Sequence, residues 1–162
     1  MKRSTPLTLI LLLVLLPVFA AAQQDGLIFD SIAEIEAETR NPQGELVAVR
    51  KPAGRVIPGT TVIYTNTLTN QGKMTLETPV IDNPVPENTE YLANSARGDG
   101  AAITFSVDGG TSYDVPEALM ITGTDGQPVQ AAAKDYTHIR WQFSNDLPPQ
   151  GTVRVEFRVK VK

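Results

Sequence analysis

The amino-acid sequence predicts an all-β fold, an antiparallel β-sandwich. Apolar and polar residues alternate in several short segments, and no stretch after Ser31 repeats its apolar residues with the period of a helix. Glycine, proline and asparagine separate these segments at turn positions. About eight short strands joined by such turns are typical of a sandwich rather than of a mixed fold.

The strongest strand pattern lies in residues 153–162. Valine or phenylalanine occupies every second position there, and every residue between them is charged. Such a strand buries one face and leaves the other in water. The same alternation predicts strands over 61–69 and 136–143, with Val62, Tyr64 and Leu68 on the inward face of the first and Ile139, Trp141 and Phe143 on that of the second. Shorter candidates are 32–39, 46–50, 78–82, 103–107 and 119–122.

One turn has a specific geometry. Asp108-Gly109-Gly110 separates the apolar segment 105–107 from Ser112-Tyr113, and its glycines can adopt the positive φ that a tight hairpin needs. We see neither an internal repeat nor a linker. The sequence therefore predicts a single domain over 31–162, preceded by a flexible lead-in over 23–30.

The first 22 residues have the pattern of a secretory signal peptide. Lys2 and Arg3 precede an apolar run over 7–19, and Ala20-Ala21-Ala22 supplies the small residues that signal peptidase requires. The alternative is a membrane anchor, but the run is short for a span of roughly 20 residues. We expect cleavage after Ala22, export to the periplasm, the envelope or the medium, and no membrane span after processing.

Composition excludes several function classes. The chain has no cysteine, one histidine and a net charge of −4, which becomes −6 when Lys2 and Arg3 are removed. There is no thiol nucleophile, disulfide framework or multi-histidine metal centre, and the acidic balance gives no reason to expect nucleic acid as a partner.

Three segments in order carry a resemblance to a known family. They are VIPGTTVIYTNTLTNQG, then VIDNPVPENTEYLANSARGDGAAITFSVDGGTSY, then DYTHIRWQFSNDLPPQGTVRVEFRVKVK. Together they resemble the bacterial DUF11 (conserved repeat) domain over residues 45–162. The resemblance implies an immunoglobulin-like sandwich in an exported or envelope-associated protein. It implies no reaction, since a fold does not determine function.

The candidate catalytic residues have simpler structural explanations. His138 falls on the strand face opposite Trp141, and no neighbouring nucleophile or base suggests a relay. Asp82, Glu87 and Glu90 could be taken for an acid pair, but they belong to a proline-bounded turn that gives no reason for different pKa values. No common catalytic or nucleotide-binding motif occurs. We therefore assign no catalytic or cofactor-binding residue and expect no enzyme activity or cofactor.

Two loop features suggest binding but carry little weight. Arg97-Gly98-Asp99 is an integrin-type tripeptide, a match that arises often by chance. Turn aspartates could contribute oxygens to a calcium site, yet their spacing matches no calcium loop, and we assign no metal ligand. These aspartates are Asp99, Asp108, Asp114 and Asp125.

Two positions lead to structural hypotheses. Asn66 falls on the inward face of its strand, where a buried amide must find partners or cost about 1–3 kcal/mol. The first strand carries Glu34, Glu36 and Glu38 on one face, and the last carries Arg154, Arg158 and Lys160. We expect these two strands to be neighbours, with their charges paired in register.

Two functions fit this description. The first is a non-catalytic envelope or extracellular domain that binds or scaffolds an unknown protein partner. The alternative is a self-assembling subunit whose segment 23–30 completes a neighbour's sheet by strand addition. A hydrolase is a distant third.

Overall fold

The computed structural model describes residues 26–162 and has an all-β, antiparallel architecture. Two single-turn 3-10 helices, Pro116–Ala118 and Ala133–Asp135, interrupt it. The ten strands are β1 (Leu27–Arg40), β2 (Leu46–Pro52), β3 (Thr61–Asn70), β4 (Val80–Pro84), β5 (Thr89–Tyr91), β6 (Ala101–Ser106), β7 (Met120–Thr122), β8 (Pro128–Gln130), β9 (His138–Phe143) and β10 (Thr152–Val161).

The strands form two main sheets and one small hairpin. The larger sheet has the order β2-β1-β3-β10-β5, the smaller has the order β4-β9-β6, and β7 pairs only with β8. β3 is central to the larger sheet and is paired along its length, with β1 on one side and β10 on the other.

The inward faces of the two main sheets share one core. Trp141 and Ile139 of β9 are fully buried, as are Phe157 and Val159 of β10 in the other sheet. The Trp141 and Phe157 rings lie 6.0 Å apart. A second aromatic cluster, with centroid distances of 4.6 to 5.8 Å, joins Tyr91, Phe105 and Tyr136. Burial of these rings is the main stabilising contribution to the fold.

Several strand predictions are confirmed. Val62 and Leu68 of β3 are buried and Tyr64 stacks on Phe157 at 5.2 Å, as their inward assignment requires. The predicted hairpin loop is also present, with φ of 75° at Gly109 and 84° at Gly110. After the loop, the chain pairs with β6 through a single β-bridge between Phe105 and Asp114 instead of through a second strand.

The predicted N-terminal boundary is wrong by four residues. Residues 27–30, expected in a flexible lead-in, belong to β1 and pair with β3, because Leu27, Ile28 and Phe29 favour a strand. The rest of the lead-in, 23–25, and the expected signal peptide, 1–22, lie outside the described residues. β5 and β8 were not expected, since three residues are too few to show alternation.

The expected pairing of the first and last strands is also wrong. β3 lies between β1 and β10, so these two strands share a sheet without being neighbours. β2 takes the other side of β1 from Glu34 onward. The alternation of β1 predicted which face is buried, but strand order depends on contacts that are distant in sequence.

Asn66 meets the expectation of a buried amide only in part. It is 0% exposed, and its Nδ2 donates a hydrogen bond to Asn83 Oδ1 on β4 at 2.9 Å. Its Oδ1 has no partner among the described residues, and neither has the buried indole N–H of Trp141. These buried polar atoms lower the stability of a core that is otherwise apolar.

Candidate interaction surface

The first half of β1 is an unpaired sheet edge. β2 begins to pair only at Glu34, so among residues 26–162 the side of 27–32 that faces away from β3 has no strand partner. We call these residues, on that side, the β1 edge. An edge of this kind presents backbone donors and acceptors to other chains.

The backbone groups that face outward from this edge can be identified. Ala53 N–H donates to Ala33 O at 2.8 Å, so the polar groups of Ala33 point away from β3. Every second residue of an antiparallel strand points the same way. Leu27, Phe29 and Ser31 therefore direct both N–H and C=O to the open side. The hydrogen bonds of Asn70, which lies opposite Leu27 on β3, agree with this assignment. Its N–H donates to Gly151 O and its C=O accepts from Gln150 N–H, so both groups point toward β10 and away from β1.

Large apolar side chains accompany these backbone groups. Phe29 lies on the inner side of the sheet, opposite Leu68, but is 51% exposed. Ile28 and Ile32 lie on the outer side and are 40% and 52% exposed. The edge thus offers main-chain hydrogen bonds together with apolar area on both faces of the sheet.

Three other edge strands, β2, β4 and β6, carry features that oppose strand addition. β2 ends in Arg50-Lys51-Pro52, β4 ends at Pro84, and β6 is bridged by Asp114 at Phe105. Lysine and proline are common means of protecting an edge. The β1 edge has neither residue and only one charge, Asp30.

The outer face of the larger sheet is crossed by ion pairs. Arg50 of β2 binds Glu156 of β10 at 2.7 and 3.1 Å, and Arg158 of β10 binds Glu36 of β1 at 2.8 Å. Both contacts pass over β3, because β3 separates β10 from β1 and β2. Ile63 of β3 lies on this outer face, opposite Arg158, yet is 0% exposed. The ion-paired side chains of Arg50 and Arg158 cross this face, and the stems of long charged residues commonly shield apolar neighbours in this way.

The ion pair between Glu36 and Arg158 can be tested by reversing its charges. Glu36→Lys should lower the free energy of unfolding by about 0.2–1 kcal/mol at low salt, since the pair with Arg158 is partly exposed. Adding Arg158→Glu should restore part of the loss, and salt should reduce both effects. Chemical denaturation at two salt concentrations measures this. Glu38→Lys is the control, because Glu38 lies on the same face with no ion pair among the described residues; an equal loss from it would contradict the pairing.

A second charged cluster lies on the outer face of the smaller sheet. Arg140 binds Asp82 through two hydrogen bonds of 2.7 and 2.9 Å, and its guanidinium lies 3.7 Å from the Tyr113 ring centroid. Burial, and then the charge of Asp82, raises the pKa of the Tyr113 hydroxyl. The phenol therefore stays neutral at ordinary pH, and the cluster is a cation–π and ion-pair contact.

The structure separates the residues considered for acid–base chemistry. Asp82 pairs with Arg140 in the smaller sheet, whereas Glu90 lies on β5 of the larger sheet, 3.8 Å from Lys162. His138 is half-buried and its Nδ1 lies 3.2 Å from Thr137 Oγ1, its one side-chain hydrogen bond among the described residues. No nucleophile–base–carboxylate arrangement forms around it.

The Arg97-Gly98-Asp99 tripeptide has a structural role. The Arg97 guanidinium donates to the carbonyls of Asn94 and Ala96, and its backbone bridges Glu156. A Cβ on Gly98 would lie 2.8 Å from Trp141 Cδ1. The arginine is thus held against its own chain, and the glycine allows close approach to the core.

Three of the four turn aspartates, Asp108, Asp114 and Asp125, accept local hydrogen bonds. Asp108 accepts from the hydroxyls of Ser106 and Ser112 and from two backbone N–H groups. Asp114 and Asp125 each accept from a backbone N–H one or two residues ahead. Over residues 26–162 no group of three or more His, Asp or Glu side chains is placed to hold a metal ion.

The Asp108 contacts predict a dependence on pH. Hydrogen bonds from Ser112, and then from Ser106, hold the pKa of the Asp108 carboxyl far below its usual value near 3.8. A lowered folded-state pKa adds stability above the unfolded pKa, and that stability is lost progressively on acidification below it. Asp108→Asn should lower the melting temperature at neutral pH, and the difference from the parent should shrink toward about pH 2. Thermal melts across this range test it, and a constant difference would contradict it.

Within the described part of the chain, no helix is long and apolar enough to cross a membrane. Comparison with known proteins gives no match to a family model, a curated protein or a solved structure.

Proposed function

We propose that this chain is a non-catalytic, exported β-sandwich domain that binds a protein partner by strand addition at the β1 edge. The observation that carries the proposal is the edge itself. Leu27, Phe29 and Ser31 direct outward backbone groups that no strand among residues 26–162 pairs with, beside exposed apolar side chains. Added strands gain affinity from main-chain hydrogen bonds and specificity from alternate side chains.

Export and family membership are parts of the same proposal. The basic, apolar and small-residue order of 1–22 supports secretion. The motif order over 45–162 resembles the DUF11 domain, and two antiparallel sheets around one core are consistent with an immunoglobulin-like sandwich. A sheet with an open edge suits a scaffolding role in the envelope or outside the cell.

Export predicts a defined N-terminus. Ala20 and Ala22 occupy the positions that signal peptidase requires. The exported protein should therefore begin at Gln23, and mass analysis of the N-terminal peptide from the extracytoplasmic fraction measures this. Recovery of an intact Met1–Ala22 segment in the membrane pellet would replace the secreted form with an anchored one.

Photo-cross-linking in cells tests the binding mode. A photo-reactive residue at Ile28, on the edge, should link to a partner, whereas one at exposed Gln142 on β9 should not. The key comparison is Ser31→Pro, which removes an N–H that faces away from β3 and so costs no internal hydrogen bond. Ser31→Ala is the matched control that keeps this N–H.

The outcomes are distinct. Cross-links from Ile28 that persist in Ser31→Ala and disappear in Ser31→Pro support strand addition. Cross-links that are unaffected by Ser31→Pro, or equal at Gln142, overturn it. The alternative is self-assembly in which segment 23–30 of one copy completes a neighbour's sheet. It requires residues 27–30, which here pair with β3 of their own chain, to leave that sheet.

A further inference from the structure

We infer that the partner of the β1 edge is a second copy of the same edge, paired antiparallel about a two-fold axis at Phe29. This inference rests on the proposed use of the edge for strand addition and names its occupant. Two copies related in this way would bury the same segment on both sides, as is usual in symmetric dimers.

The available length of the edge limits the possible registers. β2 occupies the same side of β1 from Glu34, and Ala33 O is already bonded to Ala53. A second strand therefore has only 27–32 to pair with. A register centred on Phe29 pairs Phe29 with its own copy and Leu27 with Ser31 of the other chain. All three outward-facing residues then exchange both of their backbone hydrogen bonds.

The neighbouring registers use the edge less well. Centring on Ser31 would place Phe29 opposite Ala33, whose carbonyl is occupied. Centring on Asp30 would place two carboxylates directly opposite each other, which is destabilising. Centring on Ile28 would place Ser31 opposite position 25 of the other chain, which lies outside the described residues. In the Phe29 register, Asp30 faces Ile28 of the other chain instead.

Side chains favour the same register. The two Phe29 rings, each 51% exposed in one chain, would be cross-strand neighbours on the inner side of the sheet. Aromatic pairs in this position stabilise antiparallel strands. The two larger sheets would join into one continuous sheet that runs from β5 of one copy, through both β1 strands, to β5 of the other. In each copy, β2 would keep its own pairing with β1 from Glu34 onward, next to the new contact. A contact over so few residues makes a weak dimer.

Sedimentation velocity of the exported chain tests self-association. The parent protein should pass from monomer to dimer as its concentration rises from micromolar to millimolar. Ser31→Pro removes one edge N–H from each copy and should raise the dissociation constant by about tenfold or more. Ser31→Ala should leave it unchanged.

Disulfide trapping tests the register. The natural chain has no cysteine, so Phe29→Cys adds one thiol whose nearest equivalent would be directly opposite. The Cα separation of about 5.5 Å expected there suits a disulfide. Ser31→Cys places the thiol on the same face, but more than about 10 Å from its equivalent. With dissolved oxygen as the oxidant, Phe29→Cys should form covalent dimers and Ser31→Cys should not.

The possible results separate this inference from the proposed function. Trapping at position 29 alone, with association that depends on the Ser31 N–H, supports the symmetric dimer. Equal trapping at both positions overturns the register. The chain could stay monomeric at every concentration and yet cross-link in cells to another protein from Ile28, with Ser31→Pro abolishing the cross-link. That result overturns the inference that the partner is a second copy, but it supports strand addition. If the chain neither dimerises nor cross-links to a partner from Ile28, both the symmetric dimer and strand addition are overturned.

Discussion

Trp141→Ala is expected to lower the free energy of unfolding by about 3–5 kcal/mol, the range for truncation of a buried tryptophan. Trp141 is 0% exposed, and its ring lies between the two sheets, 6.0 Å from Phe157. A loss of that size is a large share of the stability of a single domain. Denaturant unfolding followed by circular dichroism measures it, and the variant should melt far below the parent or fail to unfold cooperatively.

Two variants make this result specific. Gln142→Ala, next in the strand but exposed, should change stability by less than about 0.5 kcal/mol. Trp141→Phe keeps an aromatic ring and removes an indole N–H that has no partner, so its loss should be smaller than that of Trp141→Ala. Equal losses from Trp141→Ala and Gln142→Ala would show that the faces of β9 are assigned the wrong way round. His138→Ala, on the outer face of the same strand, should also have a small effect.

Gly98→Ala has the second large expected effect. An added Cβ would lie 2.8 Å from Trp141 Cδ1 and 3.0 Å from Val155 Cγ1, and both of these side chains are buried in the core. Inserting a methyl group into a well-packed site typically costs about 1–3 kcal/mol. The melting temperature should fall, and the near-ultraviolet circular dichroism of Trp141 should change because its ring is displaced.

Gly54→Ala is the matched control for this prediction. Nothing lies within 4 Å of a Cβ built on Gly54, and its φ is not in the left-handed region. The substitution should be neutral or slightly stabilising, since alanine restricts the unfolded chain more than glycine does. If Gly98→Ala is equally neutral, the contact between the loop and Trp141 is looser than the structure describes.

Local alternation predicted the faces of the strands well. The inward residues of β9 and the three central ones of β10 are buried as expected, and Val153 and Val161 at the ends of β10 are half-buried. A period of two places them on one side whatever the neighbouring strands are. The buried Asn66 was predicted by the same reasoning. Its partner Asn83 was not, because the partner lies on the other sheet.

Alternation could not predict how the strands are arranged or what covers their outer faces. Ile63 falls on the face opposite Val62, Tyr64 and Leu68, which alternation alone leaves in water. It is nevertheless fully buried, because side chains from β2 and β10 cross over this face. The position of β3 between β1 and β10 likewise depends on long-range pairing. Such contacts have no signature within a short window of sequence.

The sequence predicted only part of the candidate interaction surface, the β1 edge. Strand addition near the N-terminus was considered from the sequence, but 23–30 was expected to be flexible. The missed signal was the run Leu27-Ile28-Phe29, whose residues favour strands. What the sequence could not show is that β2 pairs only from Glu34, which leaves the preceding residues of β1 open along one side.

The central position of β3 also constrains the order in which the fold can form. Its two neighbours, β1 and β10, are separated by more than a hundred residues along the chain, and β10 extends to Val161. During synthesis, the early strands can associate, but the larger sheet has no β10 until residues 152–161 have left the ribosome. Closing so long a loop is slow compared with forming a local hairpin. A nascent chain of this topology therefore keeps one side of β3 without its strand partner until β10 has been synthesised, so the larger sheet closes only after that strand is available.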